Sequence, residues 1–392
     1  MRNDTQKSIH WIELDVLRGL AALMMILNHL GYKILAPNWV DSGLAGSLLF
    51  ISSFAPVLFF FVTGVGYGIQ SSRKKKASHW FVILNKFIIL ILADLLMHWS
   101  DGRWLGLDFL GFIALSSLVM EFIRNSKSPL TYSIVGLVLI SLLRYLLGPL
   151  IQSLGNEPQT WGILNWILGT KDTPGVSYPL SPWMAYPFVG YIIGVAAMHY
   201  RGFIETRRWR AVSGLLMLGG LNSVAGLILL QRGASFFRWG TVGIGFYVVS
   251  FAVILISLAG VLAICGEPKL RVGQDALSLK GIASLAVVPI HYFLIYLVGR
   301  AGGTGVDLLK YSLIAIAVLT ASFFLARSVE NLSQIIRQVK KQKVVWFGLA
   351  AMFVLAAGLT LFYSQESKDL ALFPRTFGQI VLCLLFVVRL PL

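Results

Sequence analysis

Long apolar runs separated by short polar connectors form the basic pattern of this chain. A helix needs about 20 apolar residues to cross a bilayer. By that measure the sequence contains twelve candidate spans, approximately 14–33, 46–70, 80–99, 105–123, 130–151, 183–199, 211–231, 240–265, 277–299, 309–327, 345–363 and 375–391. We therefore predict an all-α polytopic membrane helix bundle with ten to twelve transmembrane helices, forming one integral membrane domain over residues 1–392.

Composition agrees with a membrane protein. Hydrophobic residues make up 57% of the chain and charged residues 13%, with a mean hydropathy of +0.76, whereas soluble domains have about 25% charged residues. The net charge of +16 comes mainly from basic residues in the connectors, so we expect the lipid bilayer and no nucleic acid as partner. Cys265 and Cys383 lie in apolar surroundings, and no ligand pattern indicates a metal site.

The charges of the connectors predict the orientation. Alternate connectors divide into one set with 17 basic residues and another with 8. By the positive-inside rule the richer set faces the cytoplasm. Both termini are then cytoplasmic, with Arg18 near the inner end of the first helix and His29 near its outer end. The longest outer connector, about 152–182, contains a short segment, Trp161–Leu168, that fits an interfacial or re-entrant position.

The first span contains polar residues that a membrane helix normally avoids. Insertion of a charged side chain costs about 2.5–3.5 kcal/mol, so Arg18 and His29 are candidates for function. They are 11 residues apart, which puts them on one helix face about 16 Å apart. The alternatives are an interfacial role for His29, and for Arg18 an ion pair with Asp15 or contact with lipid headgroups.

Two further regions carry polar or small residues. In the second span, Thr63 and Gly64 follow three phenylalanines, and Gly64 with Gly68 forms a small-residue face that favours close helix packing. Asp94 and His98 are one turn apart in the third span, and Asp108 opens the fourth. The predicted topology puts His98 and Asp108 at about the depth of His29, where a carboxylate could bind sugar hydroxyls or orient an imidazole. An interfacial role is the alternative for this group.

His291 lies in the middle of a later span, where an imidazole needs a hydrogen-bond partner. Structural hydrogen bonding is the commoner role for such a histidine. The last two spans contain few interior polar residues, so we expect them to pack at the periphery.

Together these residues resemble the transmembrane acyltransferase superfamily, which includes the acyltransferase type 3 family and the heparan-α-glucosaminide N-acetyltransferase-like proteins. Leu14–Ala21 with His29 is similar to its Asp-x-x-Arg-Gly and Arg-x10-His signature, and Phe59–Gly64 to its Phe-Phe-x-x-Ser-Gly motif, with Thr63 in place of serine. The resemblance covers residues 13–299, leaving 300–392 as additional helices.

The resemblance implies transfer of an acetyl or similar acyl group from cytoplasmic acyl-CoA, typically acetyl-CoA, to a saccharide or cell-envelope glycan on the outer side. Arg18, supported by Asp15, would help to bind the donor, and His29 would be the catalytic base or a transient acyl carrier. Thr63 and Gly64 would line the acyl path. The candidates for the acceptor side are Asn28, Asp94, His98, Asp108 and His291.

Other functions also fit the pattern. A transporter or flippase for a glycan or acylated precursor would use the same intramembrane charges, and an inactive relative could serve as a partner subunit. The default location is a bacterial plasma membrane. The sequence does not identify the acceptor. It also leaves the oligomeric state open, and a homodimer is one of the alternatives.

Overall fold

The structure is a computed structural model that describes residues 11–40, 43–71, 79–101, 106–147, 167–168, 176–233, 242–265 and 267–388. The α-helices in these residues are α1 (Ile12–Ile34), α2 (Pro37–Val40), α3 (Gly43–Ser52), α4 (Ala55–Gln70), α5 (His79–Ser100), α6 (Phe109–Asn125), α7 (Pro129–Leu142), α8 (Leu180–Trp183), α9 (Ala185–His199), α10 (Arg201–Thr206), α11 (Arg208–Gln231), α12 (Ile244–Cys265), α13 (Arg271–Leu277), α14 (Ala283–Arg300), α15 (Leu308–Gln338), α16 (Gln342–Glu366) and α17 (Lys368–Leu385). The predicted all-α membrane bundle is confirmed.

Among the described residues, ten helical segments are long and apolar enough to cross a membrane. The predicted fourth and twelfth spans are not among them. α6 has only 17 residues, and the 18 residues of α17 include Lys368, Asp369 and Arg375. The count of twelve and the cytoplasmic position of both termini therefore stay predictions. The predicted interfacial segment Trp161–Leu168 lies outside the described residues except for its last two positions.

α1 lies in the interior of the bundle. Its residues Leu17, Ala21, Ile26 and Leu30 are fully buried, and it packs against α3, α4, α12, α13, α14 and α15. A helix enclosed by protein can carry polar side chains because neighbouring helices supply their partners. Arg18 lies near one end of α1 and His29 near the other, and they give their names to the Arg18 end and the His29 end of the bundle.

Polar contacts fasten α1 at both ends. At the Arg18 end, the backbone nitrogen of Leu279 donates to the carbonyl of Asp15 at 3.0 Å, and Arg208 donates to Glu13 at 3.1 Å. Near the His29 end, the hydroxyl of Tyr311 donates to the carbonyl of Leu27 at 2.9 Å. These contacts fix the depth of α1 relative to its neighbours.

α4 and α9 approach each other through glycines. A Cβ on Gly64 would overlap the carbonyl of Pro187, and one on Gly190 would overlap the carbonyl of Phe61. A Cβ on Gly68 would likewise overlap the carbonyl of Tyr191. Because glycine has no side chain, the two backbones come close enough for extensive van der Waals contact. The packing role considered for Gly64 and Gly68 is what the structure shows.

The last helix differs from the expectation of peripheral packing. α17 lies against α5, α14 and α16, and its residues Arg375, Thr376 and Gln379 are buried. Arg375 donates to the hydroxyl of Ser100 at 2.9 Å, and Gln379 donates to the carbonyl of Ala93 at 2.8 Å. The sequence pattern did not reveal the interior position of α17, because hydropathy alone does not tell whether a polar residue faces lipid or neighbouring protein.

The glycine interface generates a stability prediction. Gly64→Ala forces a methyl group into the backbone of α9, and overpacking of this kind costs about 1–3 kcal/mol. Gly66→Ala is the matched control, because a Cβ at Gly66 meets no atom within 4 Å. Thermal unfolding of the detergent-purified protein should show a lower midpoint for Gly64→Ala alone. Equal midpoints for the two variants would contradict the interface.

Candidate active site

His29 faces a small cavity at its end of the bundle. The cavity has a volume of about 20 Å³, enough for about one water molecule. Its polar lining residues are Asn28, His29, Ser52, Asp108, Tyr178 and Tyr292. The side-chain amide of Asn28 donates to the carbonyl of Leu49 at 3.0 Å and to the hydroxyl of Ser52 at 3.2 Å. Asn28 therefore ties α1 to α3 at the cavity wall.

His291 lies directly behind His29. Nδ1 of His29 is 2.9 Å from Nε2 of His291, and Nδ1 of His291 is 3.0 Å from the carbonyl oxygen of Val287, one turn earlier on α14. His291 is fully buried. The ring of Tyr292 stacks on His29 with a centroid distance of 4.9 Å. Two neighbouring residues of α14 thus hold the His29 ring from behind and from one face.

The predicted group of Asp94, His98 and Asp108 is assembled. The backbone nitrogen of Asp108 donates to Oδ2 of Asp94 at 3.0 Å, and Nε2 of His98 is 3.5 Å from the same oxygen. Asp108 also accepts a hydrogen bond from the nitrogen of Phe109 at 2.8 Å, as the N-cap of α6. Asp108 lines the cavity. Asp94 and His98 do not line it, and Asp94 holds the backbone of Asp108 in place.

A larger cavity opens at the Arg18 end. Its volume is about 450 Å³, and its lining includes the cations Arg18, Lys86 and Arg337. Arg18 donates to Oδ1 of Asp15 at 2.6 Å, so the predicted pair forms while the guanidinium still reaches the cavity. Glu121 lies in the same wall and forms its own ion pair with Arg124 at 2.6 Å. A cavity of this size with three cations suits a phosphate-bearing ligand.

Thr63 and Gly64 point to different sides of α4. Thr63 lines the large cavity, with its hydroxyl donating to the carbonyl of Phe59 at 3.0 Å. Gly64 packs on Pro187 of α9. In the described structure the predicted acyl-path pair is thus divided between a cavity wall and a helix interface.

The two cavities lie in line along the bundle. Three helices line both of them with residues three positions apart: Pro56 and Phe59 in α4, Leu110 and Ile113 in α6, and Val288 and Leu285 in α14. Three residues correspond to about 4.5 Å along a helix. The rings of Phe59, from the large cavity, and Phe109, from the small one, meet edge to face with centroids 5.2 Å apart. Within the described residues, a layer about one turn thick separates the cavities.

Several residues of the site were not singled out from the sequence, among them Lys86, Tyr292, Arg337 and Arg375. Lys86 could have been found from the sequence, because it is a charged residue inside the predicted span 80–99. Arg337 belongs to a polar linker and Arg375 to the edge of the last span, where basic residues are common. Arg375 is close enough to Asp108 and Tyr292 for electrostatic interaction. Only the folded chain brings Lys86, Tyr292 and Arg337 to the walls of the cavities.

Comparison with known proteins gives one family. Residues 11–227 match the family described as heparan-alpha-glucosaminide N-acetyltransferase, catalytic, which is more than half of the 392-residue chain. The chain therefore belongs to this family. Searches of curated proteins and of solved structures give no significant match. The other branch of the resemblance, acyltransferase type 3, stays a prediction.

Membership identifies the chain as an acetyltransferase of the membrane. It favours the enzyme over the transporter or flippase that the sequence left open. The matched region contains Asp15, Arg18, His29, Asp94 and Asp108. His291, Tyr292, Arg337 and Arg375 lie beyond it. The C-terminal part of this chain therefore completes both cavities.

Proposed function

We propose that this protein transfers an acetyl group across the membrane from acetyl-CoA at the Arg18 end to a saccharide at the His29 end. The observation that carries the proposal is the alignment of two unlike cavities, one lined by three cations and one by a histidine and a carboxylate. The layer between them is about one helical turn thick. An acetyl thioester at the tip of a long arm needs to cross only that layer.

The Arg18 end would bind the donor from the cytoplasm. The positive-inside rule supports this orientation, because the connectors at this end include Lys127, Arg207, Lys269 and Lys340. Coenzyme A carries several phosphate groups, which guanidinium and ammonium groups bind through charge-assisted hydrogen bonds. Arg18, Lys86 and Arg337 would hold the phosphates, and the acyl arm would run past Thr63 toward the small cavity.

The His29 end would bind the acceptor and carry out the transfer. A hydroxyl or amine of the acceptor forms a bond to the acetyl carbonyl carbon while the bond from that carbon to the thiolate breaks. Its proton moves to the His29 ring, which then returns the proton to the thiolate. Asn28, Asp108 and Tyr178 would supply hydrogen-bonding groups for the single reacting hydroxyl or amine that this small cavity can hold. The family description names a glucosaminide, so a terminal glucosaminide is the acceptor to test first.

The assay of the proposal uses the full chain purified in detergent, radiolabelled acetyl-CoA and an oligosaccharide ending in α-glucosamine. Wild type should transfer label without any vesicle gradient. His29→Ala should reduce the transfer rate about 10²–10⁴-fold, since it removes the base. His199→Phe is the control, because His199, the last residue of α9, lines neither cavity, and this variant should keep normal activity. Unchanged transfer by His29→Ala would sink the catalytic role, and gradient-dependent sugar movement without label transfer would favour transport.

The donor cations can be tested by binding. Lys86→Ala and Arg337→Ala should each weaken acetyl-CoA affinity about tenfold, which corresponds to about 1.4 kcal/mol for one lost charge-assisted contact. Isothermal titration calorimetry on the purified protein measures this. Lys340→Ala is the control, because Lys340 is an exposed cation at the same end outside the cavity lining. An equal affinity in all three variants would remove the donor site from this cavity.

The layer between the cavities predicts chain-length selectivity. Phe59→Ala removes one ring of the Phe59–Phe109 pair and widens the passage. The ratio of butyryl to acetyl transfer should rise about tenfold or more, because a buried ring excludes added methylenes that cost about 1–3 kcal/mol when forced into a packed site. The acetyl rate of the same variant serves as the internal control. A ratio equal to that of wild type would place the acyl path elsewhere.

A further inference from the structure

His291 has a geometry that the proposed function does not by itself require. Its Nδ1 lies 3.0 Å from the carbonyl oxygen of Val287. A carbonyl oxygen only accepts hydrogen bonds, so this nitrogen must carry a proton. In a neutral imidazole the other nitrogen, Nε2, then has a lone pair and acts as acceptor.

The partner of that lone pair is His29. Nε2 of His291 lies 2.9 Å from Nδ1 of His29, and one of the two nitrogens must donate. Because Nε2 of His291 accepts, Nδ1 of His29 carries the proton. Neutral His29 then has its lone pair on Nε2, the nitrogen that His291 does not occupy.

The reverse arrangement needs a doubly protonated His291. Among the described residues, the groups that interact with the His291 ring are His29, Tyr292 and the backbone of Val287 and Val288. His291 is fully buried, and an imidazolium there would have no compensating carboxylate among these neighbours. Burial of an uncompensated charge is strongly unfavourable. The neutral, directed pair is therefore the stable one.

We propose that His291 is a positioning residue that fixes His29 in the tautomer protonated at Nδ1, so that Nε2 of His29 is the proton-accepting atom. The chain of bonds runs from the Val287 carbonyl through His291 to His29. Tyr292, stacked on the His29 ring, restricts rotation of the ring out of this arrangement. This inference rests on the proposed role of His29 as the base, and it names the atom and the residue that prepares it.

The proton balance of the transfer step is consistent with this arrangement. The acceptor proton binds Nε2 of His29, giving an imidazolium that keeps its Nδ1 proton. That proton continues to donate to Nε2 of His291, so the hydrogen bond persists through the step. Return of the Nε2 proton to the thiolate restores the starting tautomer. His291 itself gains and loses no proton.

The first test reads the tautomer directly and needs no activity. Full-length protein labelled with ¹⁵N-histidine in detergent gives ring-nitrogen chemical shifts that distinguish the two tautomers. The chain has six histidines, and the loss of signals in His29→Ala and in His291→Gln assigns the two rings. Both His29 and His291 should be protonated at Nδ1 in the wild type. A His29 protonated at Nε2, or a doubly protonated His291, would overturn the proposal.

The second test separates positioning from packing. His291→Phe keeps a ring of similar size but removes the acceptor, and kcat for acetyl transfer should fall about 10–100-fold with KM unchanged. His291→Gln offers an amide oxygen near the position of Nε2 and should recover most of the loss. A phenylalanine variant as active as wild type, or a glutamine variant no better than phenylalanine, would refute positioning. If the wild type transfers no acetyl group but both histidines are protonated at Nδ1, the proposed function fails, whereas the directed hydrogen bond between His29 and His291 is still supported.

Discussion

Enclosure of a polar helix by other helices is the constraint on which the structure depends. In a bilayer, every charged or hydrogen-bonding group on α1 must find a partner within the protein. Arg18 pairs with Asp15 on the same helix, Asn28 donates to Leu49 and Ser52 of α3, and His29 contacts His291 of α14. α3 and α14 therefore cannot shift along α1 without breaking the contacts of Asn28 and His29.

The same constraint explains why the glycine interface lies where it does. α4 must lie close to α1 on one side and to α9 on the other, and the glycines remove the side chains that would keep α9 away. Phe59 and Thr63 lie on a different face of α4 and line the large cavity. The motif Phe59–Gly64 thus contributes both to the glycine interface and to the cavity wall.

Residues beyond the family match contribute to both cavities of the candidate site. Arg337 brings a third cation to the large cavity, and α14 brings Tyr292 to the small one and His291 behind it. Arg375 of the last helix is buried and donates to the hydroxyl of Ser100 at the end of α5. A site shared between distant parts of the chain is common in helix bundles, because facing helices contribute one or two residues each.

The sequence by itself determined the class of the fold and singled out part of the candidate site. Twenty-residue apolar runs can only be helices in a bilayer, and the spacing of Arg18 and His29 places both on one face of α1. The tertiary structure decided the rest. Helical periodicity tells which residues share a face, but it does not tell which faces meet. The contact of His29 with His291, 262 positions later, and the entry of Arg375 into the interior both depend on helix packing, and no local pattern in the sequence encodes them.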